Sequence, residues 1–332
     1  MKKFGKVSLV VLLVALLAFA GCSQGGNGGN GGNGGGEDNG EVPTARIVTG
    51  PPGLTVHTVG STLSEYIKDS LVLTVEPGST NGNTMAVNNK EAEFGISMTT
   101  AVVNGFNGKE FYADKGKMEN IRVIATLWHH YILPVTTNKN LKHIDDLKGT
   151  KLTAGPPGGD SEPLVKKYLS YTGLTEDDYT IIPFGFQEGA EALKNRQIDL
   201  LFSGAPFPNP LQEDIGKTQG GRYINIGKEY AERLAKEYDG LYLVEFEEGA
   251  QGLELDKPYY TVSYRAVLIT HVDVPEETVY KLTKGLYENF ERLGDAVGNM
   301  RTFPIEELVT DVGGVPYHDG ALKFYKEVGL VD

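Results

Sequence analysis

Two loops of nearly the same composition could hold a small solute through peptide groups alone. They read TGPPGLTVHTVG at residues 49–60 and AGPPGGDSEPL at residues 154–164. Each follows a short apolar run and precedes a helical pattern. A helix starting there offers leading backbone N–H groups without internal partners, and its dipole places about half a positive charge at that end. A carboxylate can be held by such donors with no lysine or arginine present. Proline has no N–H, so the useful donors follow Pro52 and Pro157. In the first loop they come from Gly53, Leu54 and Thr55, with His57 one turn on. In the second they come from Gly158, Gly159, Asp160 and Ser161, with Glu162 next. Asp160 or Ser161 can equally cap the helix that follows. Either loop alone also fits an ordinary strand-to-helix turn, because Gly and Pro are the common punctuation of loops.

Further loops add neutral donors and acceptors. GSTNGN (78–83) supplies Ser79, Thr80, Asn81 and Asn83, SMTT (97–100) supplies Thr99, and FSGAPFPNP (202–210) brings up Gly204, Ala205 and Pro206. Such groups suit binding rather than catalysis. The six histidines form no His-Glu-x-x-His pattern and have no cysteine partners, so neither a metal nor a cofactor is expected. His129 and His130 face opposite ways if they lie on a strand, with one buried and hydrogen-bonded. Trp128 reads as core. No nucleophile elbow is present.

Positioning these loops requires alternating strands and helices. Strand patterns recur at 45–50, 70–78, 94–98 and 120–128. Helical patterns recur through Val59, Leu63 and Ile67, from Asn83 as a cap, and over 99–108. A second set follows: a turn and strand leading to the second proline loop, then a helix with Leu164, Val165, Tyr168 and Leu169 on one face. A strand at 180–185, a helix at 188–197 and a strand-loop at 198–206 come next. Residues 228–258 are acidic and irregular in pattern. A β-rich run at 259–274 and helices through Val279, Leu282, Leu286 and Phe290, and through Ala321, Phe324, Tyr325 and Val328, close the chain. The alternation predicts α/β architecture with mostly parallel sheets. Extended segments at 131–137 and 261–270 are candidate strands crossing between two lobes. The expected division is 45–135 plus 265–332 for lobe I and 136–264 for lobe II.

The first 21 residues are no part of either lobe. Lys2, Lys3 and Lys6 precede the apolar run SLVVLLVALLAFA, a secretory leader, and the run is shorter than the ~20 residues a membrane span needs. Phe19-Ala20-Gly21-Cys22 resembles a bacterial lipobox, which implies lipidation of Cys22. Residues 22–44 then form a tether, of which 23–40 is low-complexity Gly/Asn sequence without apolar side chains to bury. Its low-complexity part spans about 20–25 Å as a random coil. Cys22 is the only cysteine, so no internal disulfide supports the fold. The formal net charge is −13, which excludes a basic field for nucleic acid. The same charge repels an anionic solute at long range, leaving local dipoles and hydrogen bonds to hold it.

The motifs VTGPPGLTVHTVG, EPGSTNGN, NGFNG, IDDLKGTKLTAGPPGGDSE and QIDLLFSGAPFPNP, with the late YRAVLITHVDVPEETVYKLTKGLYENF, resemble the TAXI family of solute receptors of TRAP transporters over residues 45–332. The resemblance implies a two-lobed periplasmic-binding-protein type II fold, with two crossover strands forming the hinge. It implies an extracytoplasmic receptor that captures a small polar, carboxylate-bearing solute or amino acid between its lobes. It further implies delivery to TRAP membrane subunits by a protein that is not an enzyme. Val56 and His57 stand where the family has two tyrosines, and Asp160 adds a negative charge, so no particular ligand is carried over. A ligand-sensing ectodomain partnered with a membrane kinase, or an exported enzyme on the same fold, would share these features.

Overall fold

β1 (Thr44–Val48) opens the fold in the computed structural model, which describes residues 42–157, 159, 161–247, 253–301 and 303–332. The leader, Cys22, the Gly/Asn tether, Gly158 and Asp160 lie outside the described residues. α1 (Thr55–Ile67) buries Val59, Leu63 and Ile67, the four-residue stripe visible in the sequence. β2 (Val72–Glu76), α2 (Thr80–Asn88), β3 (Phe94–Met98) and α3 (Thr99–Asn107) continue the alternation. β3 is buried along its whole length, as expected of an interior strand covered on both faces. β4 (Ile121–Ile132) is long, and after Leu133 and Pro134 the chain enters β5 (Val135–Thr136) of another sheet.

The second set comprises β6 (Lys151–Thr153), α4 (Ser161–Tyr171), β7 (Thr180–Ile181), α5 (Phe186–Lys194), β8 (Leu200–Leu201), β9 (Gly204–Ala205), α6 (Pro210–Gln219) and β10 (Arg222–Tyr223). α4 buries Leu164, Val165, Tyr168 and Leu169. The stretch read as irregular instead holds α7 (Lys228–Glu237) and β11 (Tyr242–Phe246). α7 buries only Ala231 and Leu234. Tyr230, Ala231, Leu234 and Ala235 recur at helical spacing and pack on the core, so the period was present in the sequence and the acidic composition obscured it. β12 (Tyr259–His271), α8 (Glu276–Glu288), α9 (Phe290–Ala296), α10 (Gly298–Arg301) and α11 (Asp319–Glu327) complete the order.

One sheet runs β2-β1-β3-β12-β4-β9, with β11 pairing the first half of β12; the other runs β10-β5-β8-β6-β7. β1 is parallel to β2 and β3, and β6 is parallel to β7 and β8. The antiparallel pair β4–β12 is central to the first sheet. Alternate residues of β12 serve opposite faces: Ala266 and Leu268 join one hydrophobic cluster, Val267 and Ile269 another. A third cluster, with Leu133, Val135, Leu193, Leu201 and Tyr259, supports the second sheet. The sheets do not divide at the expected lobe boundaries, because β9 and β11, both within 136–264, hydrogen-bond to the first sheet. The architecture is the α/β, two-lobed periplasmic-binding-protein type II fold, with β4 and β12 as its long strands at the junction.

Candidate functional site

A cavity of about 230 Å³ lies where loops at the strand ends of both sheets meet. From the first sheet come Thr49, Gly50 and Pro51 after β1, Gly78, Ser79 and Thr80 before and at the start of α2, Asn83 within α2, and Ile96 and Met98 of β3. From the second come Ala154, Pro156, Pro157 and Gly159 after β6, Ser161 at the start of α4, and Phe186 at the start of α5. His130 of β4, Gly204 of β9 and Tyr264 of β12 form its back. A second cavity of about 280 Å³ shares Leu54, Val56, His130, Phe186 and Gly204 with the first and extends toward Leu201, Pro206 and Leu211.

The helix starts are aimed here without side-chain caps. The N-cap residues of α1, α2 and α5 are Leu54, Ser79 and Gly185, and none accepts a capping hydrogen bond. Among the other helices, Asn209 takes the amides of Leu211 and Gln212 at α6 and His318 takes that of Gly320 at α11, while α3, α7, α8 and α9 are uncapped as well. Uncapped amides need a partner, either water or a solute. Sequence placed the cap of α2 at Asn83. In the structure the cap position of α2 is Ser79, four residues earlier, and the buried Asn83 amide donates to the carbonyls of Thr49 and Ile96, each at 2.7 Å. This clamp ties the end of β1 to β3. Gly78 must be glycine beside it, because a Cβ there would lie 2.0 Å from Asn83 Oδ1.

His130 is held in one tautomer. Trp128 Nε1 donates to its Nε2 at 2.7 Å, so its Nδ1–H donates to the Gly204 carbonyl at 3.2 Å. With both nitrogens committed and the ring buried, desolvation lowers its pKa from 6.5 to about 4. It is a neutral wall. No charged side chain lines either cavity among the described residues, and no group of His, Cys, Asp or Glu there could hold a metal ion. The lining has hydroxyls and amides without an acid, base or nucleophile pair, a chemistry of binding.

The sequence-derived candidates divide. Leu54, Ser79, Thr80, Asn83, Gly159, Ser161 and Gly204 line the first cavity, and Gly53, Leu54, Thr55, Gly204, Ala205 and Pro206 line the second. Four lie elsewhere. His57 turns back on its own loop, Nδ1 3.0 Å from Thr49 Oγ1. Asn81 Nδ2 donates to the Gly159 carbonyl at 3.3 Å, linking α2 to the loop before α4, and its Oδ1 accepts from Tyr112. The Thr99 hydroxyl donates to the Gly240 carbonyl and accepts from the Arg265 amide. Glu162 pairs with Lys166 one turn along α4. In each case the polar atom meets a nearer partner than the cavity. His130, Phe186, Tyr264, Ile96 and Met98 went unread as lining residues. Strand alternation at Trp128–His130 was the one legible signal, and it could not say which face was the cleft.

The sequence profile of the NMT1-like family matches residues 47–329. Among solved structures, a protein from Bordetella bronchiseptica RB50 is 16% identical with a TM-score of 0.52, over 86% of this chain and 98% of that one. The alkanesulfonate-binding protein SsuA of Xanthomonas axonopodis pv. citri, bound to MOPS, is 12% identical with a TM-score of 0.46, over 81% and 82%. The periplasmic aliphatic sulphonate binding protein SsuA of Escherichia coli is 13% identical with a TM-score of 0.45, over 87% and 88%. At 16% identity the likeness to the Bordetella protein is one of fold.

Proposed function

This chain belongs to the NMT1-like family, and from that premise we propose that it is an extracytoplasmic solute-binding receptor for transport. The observation that carries the reading is the convergence of uncapped helix starts on a cavity between two sheets that no charged side chain lines among the described residues. Such a site can orient a carboxylate by peptide dipoles and hydroxyls. Interlobe links such as Asn81 to Gly159 give the solute a closed arrangement to favour. Capture is the whole of its chemistry, with no bond made or broken.

The finer parts of the proposal rest on the sequence. The proline-loop and GAP-loop motifs support a TAXI-type receptor serving TRAP membrane subunits, and the lipobox supports attachment to the membrane through Cys22. Residues 45–135 with 265–332 form lobe I and 136–264 lobe II, with β9 and β11 lent to the first sheet. Mass spectrometry of small molecules released on denaturing the purified protein should find an organic acid. Protein that releases none, and whose melting temperature no organic acid raises, would overturn the receptor reading. Uptake in vesicles driven by an ion gradient without ATP is expected. Strict dependence on ATP would reassign the membrane partner.

A further inference from the structure

One edge of the first cavity is held shut by contacts that need no solute. Asn81, in the first turn of α2, is only 4% exposed. Its Nδ2 donates to the Gly159 carbonyl at 3.3 Å, reaching from the first sheet's side to the loop between β6 and α4. Its Oδ1 accepts from the Tyr112 hydroxyl at 3.0 Å. With the amide oxygen turned to a hydroxyl donor, the amide nitrogen must face the carbonyl. Tyr112 is buried with Val102, Val103 and Met118, so the core beneath α3 fixes where its hydroxyl points. A short turn, Glu110–Tyr112, presents it. Glu110 enters that turn at φ +50°, a left-handed conformation strained for a residue with a side chain. Such strain persists where the surroundings hold it, and Lys109 beside it is anchored on Asp239 at 2.7 Å. Next to the bond, Tyr112, Pro163 of α4 and Tyr238 surround a void of only about 10 Å³, room for one water at most. The two sides are therefore packed together at this edge.

We propose that Asn81 is a latch, a positioning residue that Tyr112 orients and that holds the two lobes together along this edge before any solute arrives. Gly159 lines the first cavity and Asn81 lines neither, so the bond also engages the Gly159 carbonyl away from the lining. A carbonyl oxygen left facing the cavity would repel an anion at the start of α4. With the latch made, a solute meets lobes already drawn together, and less of its binding free energy goes into closing them. This latch acts in the solute-free protein, which takes it beyond the receptor reading.

Two measurements on the full chain, unfolded and refolded to strip bound molecules, test this. Asn81→Asp keeps the acceptor for Tyr112 and replaces the donor to Gly159 with an oxygen. Hydrogen exchange of peptides 79–84 and 159–166 should quicken about tenfold in this variant, while α8 exchanges as before. Tyr112→Phe leaves both latch partners in place but frees the amide to turn, and should give a smaller acceleration at the same two peptides. Unchanged exchange there in Asn81→Asp overturns the latch. So does an equal acceleration in α8, which would mark a loss of overall stability instead. Unchanged exchange in Tyr112→Phe overturns the orienting role of Tyr112. Spin labels at Ser61→Cys on α1 and Glu188→Cys on α5, with Cys22→Ser, read the lobes directly. Without solute they should report the one distance this structure sets. A longer distance as the main population overturns the latch, and this measurement decides the matter even where neither variant folds. No solute enters either experiment, so the latch and the receptor reading can fail independently.

Discussion

His130 shows how a residue that looks reactive in sequence becomes inert in place. Burial and two hydrogen bonds keep its ring neutral, with the pKa near 4 in place of 6.5. Folding therefore excludes a proton that the unfolded chain accepts. The corresponding stability is complete above about pH 6.5 and is lost as pH falls toward 4, an effect on the order of 3 kcal/mol. Desolvation also lowers the pKa values of His129, His271 and His318, with the same sign. Urea unfolding midpoints should thus fall between pH 7 and 4.5, and His130→Gln should flatten the decline. Superimposable profiles for parent and variant would contradict this account. At the same scale, the types of Ser79, Thr80 and Ser161 were legible as site material. The directions of His57, Asn81, Thr99 and Glu162 were not, because each finds a partner that only folding brings near. Thr99 meets Gly240 from 141 residues away.

Among the elements, α1 couples stability to function. Its N-cap is Leu54, which leaves the first-turn amides without a side-chain acceptor at the edge of both cavities. Leu54→Asp supplies the missing cap and should stabilise the unliganded protein by about 1 kcal/mol. The new carboxylate then occupies the donors a solute would use and repels an anion. Melting temperature and dissociation constant should both rise; a gain in stability with unchanged affinity would remove α1 from the site. Helices with a dense apolar stripe, such as α1, α4 and α8, were visible as periodicities. The acidic composition of 228–258 hid both α7 and β11, although β11 is as long as β1, β2 and β3. β11 is stabilised by pairing with β12, a contact no local pattern encodes.

For the molecule as a whole, an acidic chain of net charge −13 encloses a cleft whose described lining carries none. Approach of an anion is then opposed by the distant field, and by no charged side chain among the described lining residues. Raising ionic strength from about 10 mM to about 0.5 M shortens the Debye length from roughly 30 Å to a few ångströms. The association rate of a monocarboxylate should therefore increase several-fold in stopped-flow traces. The matching neutral amide should show no such change. A carboxylate rate that falls with salt would point to a cationic group guiding entry.

By itself the sequence determined the α/β alternation and the proline loops at strand ends. These follow from local periodicity and residue type, which short segments carry on their own. Tertiary structure decided which face of β4 meets the cleft, that Asn83 clamps two strands, and that Asn81 links two loops. It also decided that a second cavity adjoins the first and shares Leu54, Val56, His130, Phe186 and Gly204 with it. Those features depend on side chains from distant segments competing for the same polar atoms and the same volume. That competition is resolved only when the strands have paired.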